Sequence, residues 1–194
     1  VTPFSFELQD EWSIEGPASL IAADAGIDLV IVATGRLHAP SLQPEKSGRA
    51  LEAAALNEAF AINTIGPALV AKRMLPLLPR NRRTVFAVLS ARVGSISDNR
   101  LGGWHSYRAS KAALNMLVRT FAIEQARTHP QTVCVALHPG TVDTRLSKPF
   151  QSGVATEKLF APADAAHNLL ATLDALTPAQ SGRLFAWNGE EIAP

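Results

Sequence analysis

Three nearly unbroken apolar runs limit what this chain can fold into: residues 27–33 (IDLVIVA), 85–89 (VFAVL) and 132–137 (TVCVAL). Each is rich in β-branched residues and lacks the alternation of a half-exposed strand, so each reads as a strand buried on both faces. Long helical patterns separate them, one over about 50–78 and one over 104 to about 128. Strands joined by crossovers of that length run parallel, and the helices must cover both sides of the sheet. The expected class is α/β. With no repeat and no linker, residues 1–194 form one domain.

The remaining punctuation is weaker. Residues 4–8 alternate and predict a short first strand; a helix is expected over 17–25, closed by Gly26. The Pro-, Ser- and Gly-rich stretch 36–49 reads as a loop. The 50–78 helix is interrupted at Gly66-Pro67, where the missing proline N–H leaves the Asn63 carbonyl without its helical partner and predicts a kink. After the third strand comes the turn HPGTVDT at 138–144. An irregular polar segment at 151–160 is a candidate lid, and a helix over 162–176 and a last strand over 183–187 complete the chain.

The chemistry concentrates at 85–117, where a strand, a polar loop and a helix carry Tyr107 and Lys111. Positions i and i+4 share a helix face, so phenol and ammonium point the same way. A cation beside a phenol favours the phenolate and fits it for acid–base work near neutrality. Ser90, at the mouth of the preceding strand, offers a hydrogen bond to the same pocket. Such a site suits a carbonyl or an alcohol.

Bulk composition narrows the alternatives. A net charge of +1 gives nucleic acid or an anionic membrane no electrostatic foothold, and the charges at Lys72-Arg73 and 80–83 read as solvated helix flanks. No apolar run approaches the roughly 18 residues of a membrane helix. The start VTPFSFELQD has no signal-peptide pattern, and the single Cys134 forms no internal disulfide, so the expected location is the cytoplasm. His38, His105, His129, His138 and His167 have no metal-ligand spacing, and Trp104 and Trp187 read as packing residues.

From about Phe6 onward the order of motifs resembles the short-chain dehydrogenase/reductase family: Thr34-Gly35, Asn63–Pro67 as NxxGP, Ser90 ending a strand, Tyr107–Lys111 as YRASK, and Pro139–Thr144 as PGTVDT. The wording around them is most similar to the subgroup of bacterial C-factor proteins and sniffer-type carbonyl reductases. The resemblance implies a Rossmann-like doubly wound sheet and an NADP- or NAD-dependent oxidoreductase interconverting a small-molecule carbonyl and a secondary alcohol. Within it Tyr107 would be the general acid/base, and Lys111 would depress its pKa and hold the nicotinamide ribose. Asn63 would hold a proton-relay water, and Ser90 would bond the substrate oxygen. Thr34, Gly35, Pro139, Gly140 and Thr144 would line the cofactor. A homodimer through the two long helices is implied as well.

The departures are equally specific. The family's opening strand and TGxxxGxG turn, which wraps a pyrophosphate at a helix N-terminus, has no counterpart in these residues. The expectation is an N-terminally truncated domain lacking its first strand-helix-strand, or a lineage that lost its cofactor half. The run 27–33 would then be a sheet edge and 1–8 would be displaced, poorly ordered or abnormally paired. The family's NAG reads Ala33-Thr34-Gly35, its adenine-contacting aspartate aligns with Glu7, and its active serine slot is Ala91, which leaves Ser90 or Ser95 for the role. The alternative function is a non-catalytic scaffold or signalling protein that keeps the fold without binding cofactor.

Overall fold

The computed structural model describes residues 2–22, 26–39 and 43–194. In chain order it runs α1 (Glu11–Ala22), β1 (Leu29–Val32), α2 (Ala53–Phe60), a π-helical turn (Ala61–Ile65), α3 (Gly66–Met74) and β2 (Thr84–Leu89). There follow α4 (His105–Thr128), β3 (Thr132–His138), β4 (Thr141–Val142), β5 (Leu159–Phe160), α5 (Pro162–Ala175), β6 (Leu184–Ala186) and β7 (Glu191–Ile192). The main sheet has the order β1-β2-β3-β6-β7. Its first four strands are parallel and β7 is antiparallel to β6. Strands β4 and β5 form a small parallel pair of their own.

Alternate residues of the central strands feed two cores. Phe86, Val88, Cys134 and Ala136 face α1, α3 and α4, meeting Ile14, Val70, Met74, Leu114 and Val118. Val85, Ala87, Val133, Val135 and Leu137 face Leu169 and Leu173 of α5. Phe86, Ala87, Val133, Cys134, Val135 and Leu137 are all fully buried, as continuous apolar runs in a two-sided sheet require. Helices on both faces of a parallel sheet make the architecture doubly wound and Rossmann-like.

Strand β1 corrects one expectation. It is the sheet edge, as anticipated, but only Val30 and Val32 are buried; Leu29 and Ile31 are 40% and 41% exposed. α5 covers the β2, β3 and β6 part of that face and leaves the edge strand bare. The first helix is also displaced from the expected 17–25. It starts at Glu11 with Pro17 inside it, while residues 23–25 lie outside the described residues. The start signal is Asp10, whose Oδ1 accepts from the Trp12 N–H (3.0 Å) and whose carbonyl accepts from the Ser13 N–H (3.1 Å).

Residues 4–8 form no strand. Leu8 instead fills the space above Gly66, where a Cβ would lie 2.3 Å from the Leu8 Cγ. The expected kink falls one turn before Pro67 as the π-helical turn, closed by an i→i−5 bond from the Gly66 N–H to the Ala61 carbonyl. The 151–160 segment contains β5, whose two residues pair with the expected turn at 141–142, and β7 is a strand the sequence patterns did not mark.

Candidate active site

The carboxyl ends of β1, β2 and β3 deliver Thr34-Gly35, Ser90 and Pro139-Gly140 to one rim of the sheet. In open α/β sheets this rim is where ligands bind. Helix α4 packs beside it because Gly94 has no side chain: a Cβ there would lie 2.8 Å from the Cβ of Lys111. Tyr107 and Lys111 are 9% and 2% exposed and face the same way, the Lys111 Nζ lying 5.8 Å from the centre of the Tyr107 ring. The Lys111 ammonium donates to the Leu89 carbonyl at 2.7 Å.

Burial decides the electrostatics of the pair. It pushes the Lys111 amine down to about 8 and the Tyr107 phenol up to about 12. The expectation that Lys111 lowers the Tyr107 pKa is therefore reversed. The ammonium lies over the ring and is bonded to Leu89, and burial is what sets the direction of the phenol's shift. At neutral pH the phenol keeps its proton beside a charged lysine.

Asn63 is fully buried, and its side chain serves as a clamp. Its Oδ1 accepts from the Arg36 N–H, and its Nδ2 donates to the Arg36 carbonyl, each at 2.8 Å, and to the Ser110 Oγ at 3.1 Å. This ties the loop after β1 to α4 one residue before Lys111. A Cβ on Gly35 would lie 3.6 Å from the Lys111 Nζ and 3.7 Å from the Asn63 Oδ1, so three of the expected residues converge.

Ser90 stands at the rim with its hydroxyl engaged. The Ser90 Oγ donates to the Asn115 Oδ1 at 2.6 Å, so the side chain turns to α4, where the half-buried asparagine supplies an acceptor. The Ser95 Oγ accepts from the Asp98 N–H at 3.0 Å and stabilises its own loop. Gly140 has φ +75°, and a Cβ there would lie 2.6 Å from Phe160 and 3.0 Å from Trp187, whose rings pack together at 4.6 Å. Thr144 stands apart from this cluster, on an open groove of about 560 Å³ with Arg145 and Lys148.

Trp104 packs as expected, meeting both Tyr107 (6.3 Å) and Phe150 (5.0 Å) edge-on. One feature escaped sequence reasoning. Glu45, from the loop after β1, is buried against Ser106 and borders a cavity of about 10 Å³ that Tyr107, Arg36 and Leu37 also line, room for about one water. No local pattern marks Glu45, because its partners lie about sixty positions away.

A doubly wound sheet with a buried tyrosine–lysine couple at its carboxyl rim defines a class of oxidoreductase folds, and comparison with known proteins agrees. A model of the short chain dehydrogenase family matches residues 2–155, and the chain belongs to that family. It is 39% identical over 134 residues to the C-signal protein of Myxococcus xanthus, covering 69% of this chain and 75% of that one. It is 38% identical over 122 residues to 1-hydroxy-2-glutathionyl-2-methyl-3-butene dehydrogenase of Rhodococcus sp. strain AD45, covering 63% of this chain but only 51% of that enzyme.

Among solved structures, the NADPH-bound carbonyl reductase from chicken fatty liver superposes with a TM-score of 0.80 at 27% identity, over 97% of this chain and 75% of that one. The Sniffer carbonyl reductase of Drosophila melanogaster shares the fold, with a TM-score of 0.82 at 23% identity over 98% of this chain and 77% of that one. The family, and within it the C-factor and sniffer-like group, is that of nicotinamide-dependent oxidoreductases.

The residues present fit the nicotinamide-ribose end of such a cofactor. Among the described residues the Lys111 amine makes one side-chain hydrogen bond, and the buried Thr34 hydroxyl makes none, so donors remain for ribose hydroxyls at the rim. A pyrophosphate cradle is not found among them. The first turn of α1 carries Glu11, the wrong charge for a phosphate. No described helix is long and apolar enough to cross a membrane.

Proposed function

We propose that the protein is a carbonyl reductase using NADPH or NADH, with Tyr107 as the proton donor. The observation that carries this reading is the buried couple at the sheet rim: a phenol raised to about 12 and an ammonium 5.8 Å from its ring. A phenol that keeps its proton at neutral pH can give it to a carbonyl oxygen as hydride arrives, and by microscopic reversibility the same group takes the proton back from an alcohol. As the Tyr107 Oη releases that proton, the Lys111 charge stabilises the phenolate left behind. The bound nicotinamide supplies the hydride. Lys111 and Thr34 hold its ribose, with Gly35, Pro139 and Gly140 on the rim beside it and Thr144 reaching it from the neighbouring groove. Asn63 acts by fixing the loop under Lys111, and its carbonyl takes the relay water.

Other features support finer parts of the reading. Met116 and Ile123 on the outer face of α4 are 66% and 46% exposed, which suits a homodimer through the long helices. A fully buried Cys134, its thiol pushed up to about 12 by burial, suits a reducing compartment such as the cytoplasm. The test of the reaction is Tyr107→Phe in the protein as the cell makes it, assayed with NADPH and small carbonyls. Turnover should fall by about 10²–10⁴; unchanged turnover refutes the assignment. A second reading, a signalling protein that keeps the fold, is favoured by the C-signal relative. Calorimetric titration with NADPH separates the two, since that reading predicts no heat of binding.

A further inference from the structure

Helix α4 starts in an unusual way. Gly102, Gly103 and Trp104 have φ of +64°, +67° and +53°, three successive residues in left-handed conformation. Trp104 is the sole non-glycine residue with positive φ among those described, a conformation L side chains avoid. It also occupies the N-cap position, where its side chain accepts no hydrogen bond from the helix. Helix starts prefer Ser, Thr, Asp or Asn there, because the first N–H groups lack internal partners.

Glu45 supplies what Trp104 cannot. Its backbone carbonyl accepts from the Trp104 N–H at 2.5 Å, and its carboxylate accepts from the Ser106 N–H at 3.2 Å and from the Ser106 hydroxyl. Gly103 passes so close that a Cβ would lie 3.4 Å from the same carbonyl oxygen. A negative charge at a helix N-terminus is favourable in itself. Trp104 and Ser106 are held directly, and through them Tyr107, the next residue in the first turn of α4, the part of a helix that frays when uncapped. Its ring meets Trp104 at 6.3 Å and the Lys111 ammonium at 5.8 Å.

We propose that Glu45 is a positioning residue for Tyr107: it caps α4 from the loop after β1, holds the left-handed Gly102–Trp104 turn, and so fixes the phenol between Trp104 and Lys111. The consequence for turnover rests on the reading of Tyr107 as the proton donor; the consequence for the ring does not. Glutamine can accept from the Ser106 N–H and donate to its hydroxyl, so Glu45→Gln keeps the geometry without the charge. Alanine removes both contacts.

Tyr107 is the single tyrosine of the chain, so one ¹³C-tyrosine ring signal reports its surroundings without ligand or turnover. In Glu45→Ala that signal should move toward the position of free tyrosine as the Trp104 ring current is lost, and in Glu45→Gln it should stay at the native position. With NADPH and a carbonyl, kcat should fall about tenfold in Glu45→Ala, corresponding to about 1.4 kcal/mol at the barrier. KM for NADPH should stay within about twofold, and Glu45→Gln should recover most of kcat.

A folded Glu45→Ala protein with the native tyrosine signal overturns the proposal, and so does a Glu45→Gln signal displaced as far as that of alanine. Should Glu45→Ala fail to fold, Glu45→Asp withdraws the carboxylate by one methylene and carries the same test: a displaced ring signal supports the clamp, a native one refutes it. A parent protein that turns over no carbonyl removes the reductase reading while the ring signal still decides this one.

Discussion

Replacing Lys111 by methionine removes a cation that is 2% exposed, and the structure sets the size and sign of the effect. Its amine titrates at about 8 in the folded chain and at 10.5 when free. Between those values the unfolded chain binds the proton that the folded chain has released, so stability rises with pH across that window. The difference of 2.5 (10.5 minus 8) corresponds to roughly 3 kcal/mol of penalty on the charged amine below pH 8. Two groups act in the opposite sense. Burial raises Cys134 from 9 to about 12 and Tyr107 from 10 to about 12, so stability falls above pH 9 and again above pH 10. The parent protein should therefore be most stable near pH 9. Subtracting the unfolding free energies of Lys111→Met from those of the parent isolates the lysine. That difference, read from urea unfolding at each pH, should climb by roughly 3 kcal/mol between pH 8 and 10.5. A flat difference refutes the claim that burial, rather than the hydrogen bond to Leu89, governs the state of Lys111.

Asn63→Ala should destabilise by roughly 1–3 kcal/mol in urea unfolding, because the Arg36 N–H and carbonyl and the Ser110 hydroxyl lose a buried partner; it should also raise KM for NADPH by loosening the loop beside Lys111. Gly140→Ala places a Cβ 2.6 Å from Phe160 on a backbone at φ +75°, so it should lower Tm and change the Trp187 fluorescence as the Phe160–Trp187 pair is pushed apart. Sedimentation at micromolar concentration should show a dimer, and Met116→Glu with Ile123→Glu should return it to monomer; a parent that sediments as a monomer removes that proposal.

Much of the framework was legible because it rests on strong periodic signals. β2 and β3 are apolar runs buried on both faces, and α4 carries a helical pattern from Trp104 to a stop at His129-Pro130. What escaped depends on neighbours that no local pattern names. Ile31 reads as buried, but α5 does not reach the edge strand. Pro17 reads as the first residue of α1, yet the cap at Asp10 starts the helix earlier. Ser90 reads as a site serine, but its partner Asn115, on the next helix, is named by no local pattern. The direction of the Tyr107 shift is hidden from the sequence for the same reason. Spacing shows the lysine one turn away, whereas burial comes from the whole assembly. Glu45 is the clearest case, a loop glutamate whose partners at Trp104 and Ser106 only folding brings to it.

The central claim is that burial holds the Tyr107 phenol protonated beside a lysine, ready to donate. Because the chain has one tyrosine, a ¹³C-tyrosine titration of the folded protein reads that phenol alone. With its pKa at about 12, roughly one tenth of it should be ionised at about pH 11 while circular dichroism still shows the native fold. A native protein with the phenol mostly ionised at that pH would contradict the account.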